Sequence, residues 1–224
     1  MSFLENIIII GIGGHAKVVH SIIKRIQGEP NNIFFIDAYN KRFDFFLGEP
    51  VLGGLESGIE IPFSNCKVIN AFGGDAYKGV LMRKTLDQKF AKLVPQSLNY
   101  EYINVIDKSV ISIDGLKIGK GNFVGFNAIL GPSVEIKDKN IINNKVLIEH
   151  DCKIGSNNII SPGAIVLGAV TMGDEIFIGS GTIIRNGITI GDNAIIGMGS
   201  NITKNIPPNV TIYGNPAKII KFNK

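Results

Sequence analysis

Residues 116–203 read LKIGKGNFVGFNAILGPSVEIKDKNIINNKVLIEHDCKIGSNNIISPGAIVLGAVTMGDEIFIGSGTIIRNGITIGDNAIIGMGSNIT, and their period decides the fold. Every sixth residue from Ile118 is apolar: Ile118, Val124, Leu130, Ile136, Ile142, Ile148, Ile154, Ile160, Val166, Met172, Ile178, Ile184, Ile190, Ile196 and Ile202, fifteen positions in unbroken register. Glycine follows in eight of the fifteen hexads, at 119, 125, 131, 155, 173, 179, 191 and 197. The position two before the apolar one is mostly small or medium, as at Ala128, Val134, Val146, Cys152, Ala164, Val170, Thr182 and Ala194. A period of six matches neither a helix nor one continuous strand. It fits short strands joined by tight turns, each sending one aliphatic side chain inward. Stacked rungs would set these side chains in continuous ladders, where β-branching suits the pleated backbone. Glycine supplies turns that need a positive φ, and Asn122, Asn158 and Asn193 are expected to do the same. With three hexads to a coil, the stretch makes roughly five coils. A purely structural solenoid would show the same period, so function has to come from sites.

The 224 residues suffice for one or two domains with a full core. Composition, at 45% hydrophobic and 19% charged, is that of a globular protein. A net charge of +4, without any lysine or arginine block, argues against a nucleic-acid partner. Cys66 and Cys152 stand far apart, which points to a reducing compartment and no metal cluster. Cys152 falls in the inward series, so it is expected to pack as an inert thiol. The opening MSFLENIIIIG has neither the basic start of a signal peptide nor the length of a membrane span. A cytoplasmic protein without a membrane partner is the expectation.

Outside the repeat, the run Ile7 to Ile10 predicts a buried parallel strand. Gly11, Gly13 and Gly14 follow, and then Ala16, Val19, Ile22, Ile23 and Ile26 recur on one helical face. A second apolar run from Ile33 to Ile36 ends in Asp37, completing a βαβ unit. The turn G-I-G-G-H lacks the third spaced glycine of the dinucleotide fingerprint, so NAD is not indicated. Backbone N–H groups at the helix start can hold a phosphate, and an acid after the second strand can accept from a ribose or base. Tight turning alone is the alternative for the glycines. Phe43, Phe45 and Phe46 are expected to pack locally. Val51–Gly54 reads as a strand entering a turn, and Cys66–Phe72 as a strand closed by Gly73 and Gly74. Asp75–Gln88 reads as a helix with Asp75 as N-cap, and Phe90–Val94 as a strand before Pro95. A domain boundary near residue 105 divides the chain into 1–105 and 106–224. Pro207-Pro208 ends the regular coil, the tail from Val210 is expected to cap it, and Lys221 and Lys224 read as solvated charges.

Three histidines are present, His15, His20 and His150, and no pair has metal-ligand spacing, so no metal is expected. His20, in the first helix, reads as structural or exposed. His15 either faces a phosphate or sugar group or caps local backbone. His150 sits inside the repeat between Glu149 and Asp151. A buried acidic neighbour would hold one imidazole nitrogen as N–H and raise the basicity of the other, which is what a general base needs. An uninvolved surface histidine is the alternative.

Several runs occur in a telling order: I-I-I-G-I-G-G-H-A-K-V-V at 8–19, I-D at 36–37, V-L-G-G at 51–54, I-N at 142–143, I-E-H-D-C at 148–152, I-G at 154–155, S-P-G-A at 161–164 and Y-G-N-P-A-K at 213–218. With the hexads between them, the chain resembles the NeuD/PglD group of sugar O- and N-acetyltransferases over nearly its whole length. The resemblance implies a mixed fold, a small Rossmann-like α/β domain that binds a nucleotide sugar followed by a left-handed parallel β-helix that binds acetyl-CoA. It also implies a homotrimer with the donor between coils of two subunits. His150 matches the family's catalytic histidine and Asp151 its orienting acid. Gly11, Gly13, Gly14 and His15 match the nucleotide-sugar turn, and Asp37 an acidic position that can contact the base. Asn143, Gly163 and Ala164 match the region around the acetyl-donor cleft, with Gly214 and Pro216 near the outer part of the coenzyme. Two departures stand out. Ile159 replaces a second histidine that helps hold the donor, so either Asn157 or Asn158 substitutes or backbone alone serves. Asp107-Lys108 stands where the family has a His-Pro pair.

The activity implied is acetyl transfer from acetyl-CoA to the amine of a nucleotide-linked amino sugar, of the UDP-, GDP- or dTDP-4-amino-4,6-dideoxy type, for surface glycan synthesis. His150 would take the amine proton, and a backbone N–H, for example in the Ser161–Ala164 turn, would stabilise the oxyanion. O-acetylation of a sialic acid or other sugar is the alternative enzyme reading. A non-catalytic scaffold or nucleotide-binding subunit is the alternative of another class.

Overall fold

The computed structural model describes residues 5–27, 32–74 and 76–223. The N-cap expected at Asp75 and the solvated Lys224 lie outside these residues. The N-terminal elements are β1 (Asn6–Ile10), α1 (Gly14–Gln27), β2 (Asn32–Asp37), β3 (Phe45–Phe46), β4 (Glu49–Gly54), β5 (Gly58–Ile59), β6 (Asn65–Asn70), α2 (Ala76–Leu93) and β7 (Asn99–Tyr102). They form one sheet in the order β3-β4-β2-β1-β6-β7, with β5 on β4. The four central pairings, β4-β2, β2-β1, β1-β6 and β6-β7, are parallel. The Ile7–Ile10 run is fully buried because both sheet faces are covered, and α1 buries Ala16, Val19, Ile22 and Ile23 as its period requires.

Two local expectations are corrected. Phe90–Val94 is not a strand: α2 continues to Leu93, because Phe90 falls four residues after Leu86 on the same buried face. Of the three phenylalanines, Phe46 packs edge-on to Phe35, whereas Phe43 and Phe45 are exposed.

The remainder is a three-sided parallel solenoid of two-residue strands, starting at Val105–Ile106 and running to Asn201–Ile202. Residues eighteen apart are in register, as in Leu147↔Ile165 and Ile148↔Val166. The inward series from Val124 to Ile202 fills a continuous core, and Val210 and Ile212 of the C-terminal hairpin (Val210–Gly214 with Ala217–Phe222) close its end.

The residue before each inward one points outward, and the three faces differ. On the first face Val105, Phe123, Ile141, Ile159 and Phe177 stack on one another and pack against α1, so this is the docked face. On the second, Lys117, Glu135, Lys153, Thr171 and Thr189 make a polar face. On the third, Ile111, Ile129, Leu147, Ile165 and Ile183 make an apolar face, exposed or half-buried in the single chain.

Asn122 and Asn158 are not turn residues. The positive φ falls instead on Asn127, Asn157, Asn209 and, as expected, Asn193. Asn122, Asn140 and Asn158 are fully buried in a ladder, each accepting with Oδ1 from a main-chain N–H one coil on, as in Asn140 N–H to Asn122 (2.9 Å), Asn158 N–H to Asn140 (2.8 Å) and Ile176 N–H to Asn158 (2.7 Å). Their amides donate to the carbonyls of Lys137, Gly155 and Gly173. The side chains replace partners the turning backbone cannot supply to itself.

Candidate active site

His150 lies at the corner between the apolar and polar faces. The chain turns there through Asp151, whose φ is 58°, a left-handed conformation that aspartate tolerates better than most residues. The turn swings the carboxylate back onto the preceding ring, and His150 Nδ1 and Asp151 Oδ2 are 2.8 Å apart. An ionised carboxylate only accepts, so Nδ1 carries the proton and Nε2 is the free acceptor. The pair is not buried as the sequence reading had it: the two side chains are 56% and 63% exposed in the single chain.

The other side of the ring rests on Gly168, one coil on. A β-carbon there would stand 2.4 Å from Nε2 and 2.6 Å from Cε1. Gly168 is buried, yet its N–H donates to no acceptor among the described residues. At other corners a side chain one coil on takes the equivalent N–H, as Asp138 does for Lys120, Asp174 for Ser156 and Asn144 for Phe126. The corner at His150 therefore holds an imidazole nitrogen without a partner, packed on a glycine whose N–H has no acceptor among the described residues. Sequence reading missed Gly168, although the period of eighteen was signal enough to put it beside His150.

The same corner forms a column of His150, Gly168, Asn186 and Lys204, in register through Leu147↔Ile165, Ile165↔Ile183 and Ile183↔Asn201. Three rungs at a strand spacing of about 4.8 Å span about 14 Å. At its end Lys204, Pro216 and Lys218 line a cavity of 380 Å³. Gly214, with φ 112°, turns the hairpin that brings Pro216 there.

Other expected donor residues fall elsewhere. Asn143 and Gly163 occupy the opposite corner of the apolar face, half-buried. The Ala164 side chain is sealed in the core and cannot touch a ligand. The Ser161–Ala164 turn is therefore not beside His150 within one chain. Asn158 is committed to its ladder and cannot hold a donor. Ile159, where a second histidine was expected, is covered by the N-terminal domain, which accounts for an apolar residue there. Cys152 is buried with its thiol pushed up to about 11 by burial, the inert packing anticipated.

In the N-terminal domain, Gly11, Gly13, Gly14 and His15 line a cavity of 140 Å³ with Tyr39, Arg42 and the 71–74 loop. Gly11 has φ 111° and lies against the backbone of Ala71 and Phe72, whereas a β-carbon on Gly13 or Gly14 would meet open space. Packing thus explains Gly11 but not the other two. His15 sets its ring edge-on to Phe123 of the docked face, with centroids 4.6 Å apart, and its Nε2 is buried without a partner. Burial, and secondarily Arg83, pushes its pKa down to about 3, so the ring is neutral. Asp37 is fully buried, and both of its oxygens are taken by Arg42, at 2.7 and 3.1 Å. It cannot reach a ribose or base, which corrects the expectation for it. His20 is structural, with Nε2 3.2 Å from Glu49. No group of metal-ligating side chains is found among the described residues, and no helix among them is long and apolar enough to cross a membrane.

A hexad-built solenoid, a Rossmann-like domain docked on one face and a carboxylate-held imidazole at a corner together define a hexapeptide-repeat transferase. Residues 6–84 match the PglD N-terminal domain and residues 169–204 the hexapeptide repeat of succinyl-transferase. In both parts, and in its overall fold, the chain is similar to PglD-like hexapeptide-repeat acetyltransferases. It is similar to the acetyltransferase domain of PglB from Neisseria gonorrhoeae, at 28% identity and TM-score 0.81, over 96% of this chain and 100% of that one. WeeI from Acinetobacter baumannii is 25% identical with TM-score 0.81, over 96% and 100%. PerB from Caulobacter crescentus, solved with CoA and GDP-perosamine, is 27% identical with TM-score 0.79, over 97% and 98%. No match is found among curated protein sequences.

Proposed function

We propose that the chain transfers acetyl from acetyl-CoA to the amine of a nucleotide-linked amino sugar. The observation that carries this is the His150–Asp151 pair, with Nε2 packed over Gly168, a residue whose N–H has no acceptor among the described residues. The relatives support the substrate class: PerB was solved with CoA and GDP-perosamine, and a PglB acetyltransferase domain with acetyl coenzyme A.

His150 Nε2 accepts the proton of the attacking amine while Asp151 stabilises the imidazolium. A C–N bond forms to the thioester carbonyl, and the Gly168 N–H receives the oxyanion. The C–S bond then breaks, and the imidazolium returns its proton to the thiolate. No acyl-enzyme is needed. The corner column, with Lys204 and Lys218 at its far end, has the reach and charge for a pantetheine arm and its phosphates.

His150 stands at the one corner that does not border the docked face, so the nucleotide-sugar turn of the same chain lies away from it. A neighbouring copy seated on the apolar face would bring its own turn to this corner, which favours the homotrimer. The test is release of CoA with UDP-, GDP- and dTDP-linked 4-amino sugars, with free sialic acid as the O-acetylation control. Turnover with an amino sugar that His150→Ala abolishes is expected. Undiminished turnover in that variant removes the proposed base, and turnover with sialic acid alone favours O-acetylation.

A further inference from the structure

The acidic residue after β2 points to an unassigned contact. Asp37 accepts the Nε–H of Arg42 at Oδ2 (2.7 Å), and an Nη2–H of Arg42 together with the Tyr39 N–H at Oδ1. Its carboxylate has no room for a ligand. Arg42 spends two of its five N–H donors on this pairing and keeps three. It is half-exposed and lines the cavity on the side facing the glycine turn.

The cavity suits an anion. Among the residues that line it, Arg42 carries the charge. The opposite wall is the start of α1, a fourteen-residue helix with no acid in its first turn. Gly13 and Gly14 leave open space over that wall, so a ligand can approach the backbone. His15, neutral and with an unpartnered, buried Nε2, lines the same cavity and adds no charge to it. Arg83 is not available, because its guanidinium is held by the carbonyls of Asn70, Phe72 and Lys139. The volume of 140 Å³ is roughly the room of four or five waters, enough for a diphosphate and too small for a whole nucleotide sugar.

We propose that Arg42 reads the diphosphate of the acceptor, and that Asp37 positions Arg42 rather than touching the ligand. A planar guanidinium already fixed by a buried carboxylate loses little freedom on meeting phosphate oxygens. The inference rests on the nucleotide-linked acceptor proposed above and identifies the residue that recognises its charged part.

The test is calorimetric titration of the full chain with UDP, GDP and dTDP, and with uridine, guanosine and thymidine. Wild type is compared with Arg42→Met, Arg42→Lys and the double variant Arg42→Met/Asp37→Asn, which leaves no buried carboxylate unpaired. The preferred diphosphate is expected to bind roughly 10- to 100-fold more weakly to both methionine variants. Arg42→Lys should fall between, nucleoside binding should not change, and KM should rise for the acceptor but not for acetyl-CoA. Equal diphosphate affinity in wild type and the double variant overturns the assignment. Equal loss of nucleoside and diphosphate binding also overturns it, because the residue would then be reading the base. Failure of the wild type to bind any of the three diphosphates defeats the proposed acceptor class itself, a result distinguishable from the other two.

Discussion

Gly168→Ala is the sharpest test of the corner. The added β-carbon would lie 2.4 Å from Nε2, 2.6 Å from Cε1 and 3.0 Å from Cδ2 of His150. Non-bonded heavy atoms settle near 3.5–4.0 Å, so the ring edge has to retreat by about 1 Å. The ring can do so, because its side chain is 56% exposed and only the contact with Asp151 is given up. An exposed pair of that kind contributes at most about 1 kcal/mol. The φ of Gly168 is not in the left-handed region, so alanine adds no backbone strain. The melting temperature is therefore expected to stay within a few degrees of wild type. Catalysis should respond far more, since a misplacement of about 1 Å can cost about 10²-fold. The loss should fall on kcat with little change in either KM. The Gly168 N–H survives the substitution, so the loss reports the ring and not the oxyanion donor. Gly131→Ala is the internal contrast: its β-carbon would meet the His150 N at 2.8 Å and the Glu149 carbonyl carbon at 2.9 Å, which are backbone atoms that cannot swing aside. That variant should lose stability first. Stopped-time assays of CoA release alongside thermal melts separate the two outcomes. A folded Gly168→Ala protein with kcat within twofold of wild type would refute the claim that the imidazole works where it lies.

Asn140→Ala removes the acceptor for the Asn158 N–H and the donor to the Gly155 carbonyl, both buried. At about 1–3 kcal/mol per stranded group, the urea midpoint should fall clearly while turnover per folded molecule holds. An unchanged midpoint would mean the ladder contributes nothing. His15→Phe tests a pH dependence. The folded pKa of about 3 lies below the unfolded 6.5, so the unfolded state binds the proton more readily between them. Stability is full above pH 6.5 and falls as pH drops through this window, by on the order of 3 kcal/mol at pH 4.5. The variant should lack this slope in urea melts, and parallel slopes would count against a buried neutral His15. Leu147→Lys places a charge on the apolar face, so sedimentation should show monomers, and loss of turnover should accompany them.

The inward ladder was fully legible in the sequence, because a six-residue period with aliphatic residues has one structural solution. The βαβ start was legible for a similar reason: Ile7–Ile10 and Ile33–Ile36 are too apolar for anything but strands covered on both faces. The errors share a cause in residues whose role depends on a neighbour distant in sequence. Asn122 and Asn158 read as turn formers until the coil above each is known to hand its side chain a main-chain N–H. Asp37 reads as a ligand contact until Arg42, on the loop after it, is seen to occupy both oxygens. Phe90 reads as the start of a strand before a proline until Leu86 shows it to be on a helix face. The pairing of His150 with Asp151 is legible because they are adjacent, while the contact of His150 with Gly168 is not, because it lies one coil away.

The outward positions carry an argument that the inward ladder cannot. The inward residues are nearly uniform, so they specify a prism and nothing about its surroundings. The outward series Val105-Phe123-Ile141-Ile159-Phe177 is large and apolar, and the chain itself covers it with α1. The series Lys117-Glu135-Lys153-Thr171-Thr189 is polar and meets water. The series Ile111-Ile129-Leu147-Ile165-Ile183 is as apolar as the first, yet Ile111, Ile129 and Ile183 remain 56%, 37% and 40% exposed. Exposed apolar stripes mark surfaces that something else covers, and the assembly proposed above would seat another copy of the prism there. His150 borders this stripe and not the docked face. An acceptor held at the α1 turn thus reaches an imidazole most directly when the stripe is covered by the next copy. On the proposed trimer assembly and catalysis are one requirement, and Leu147, placed three residues before His150, should affect both together.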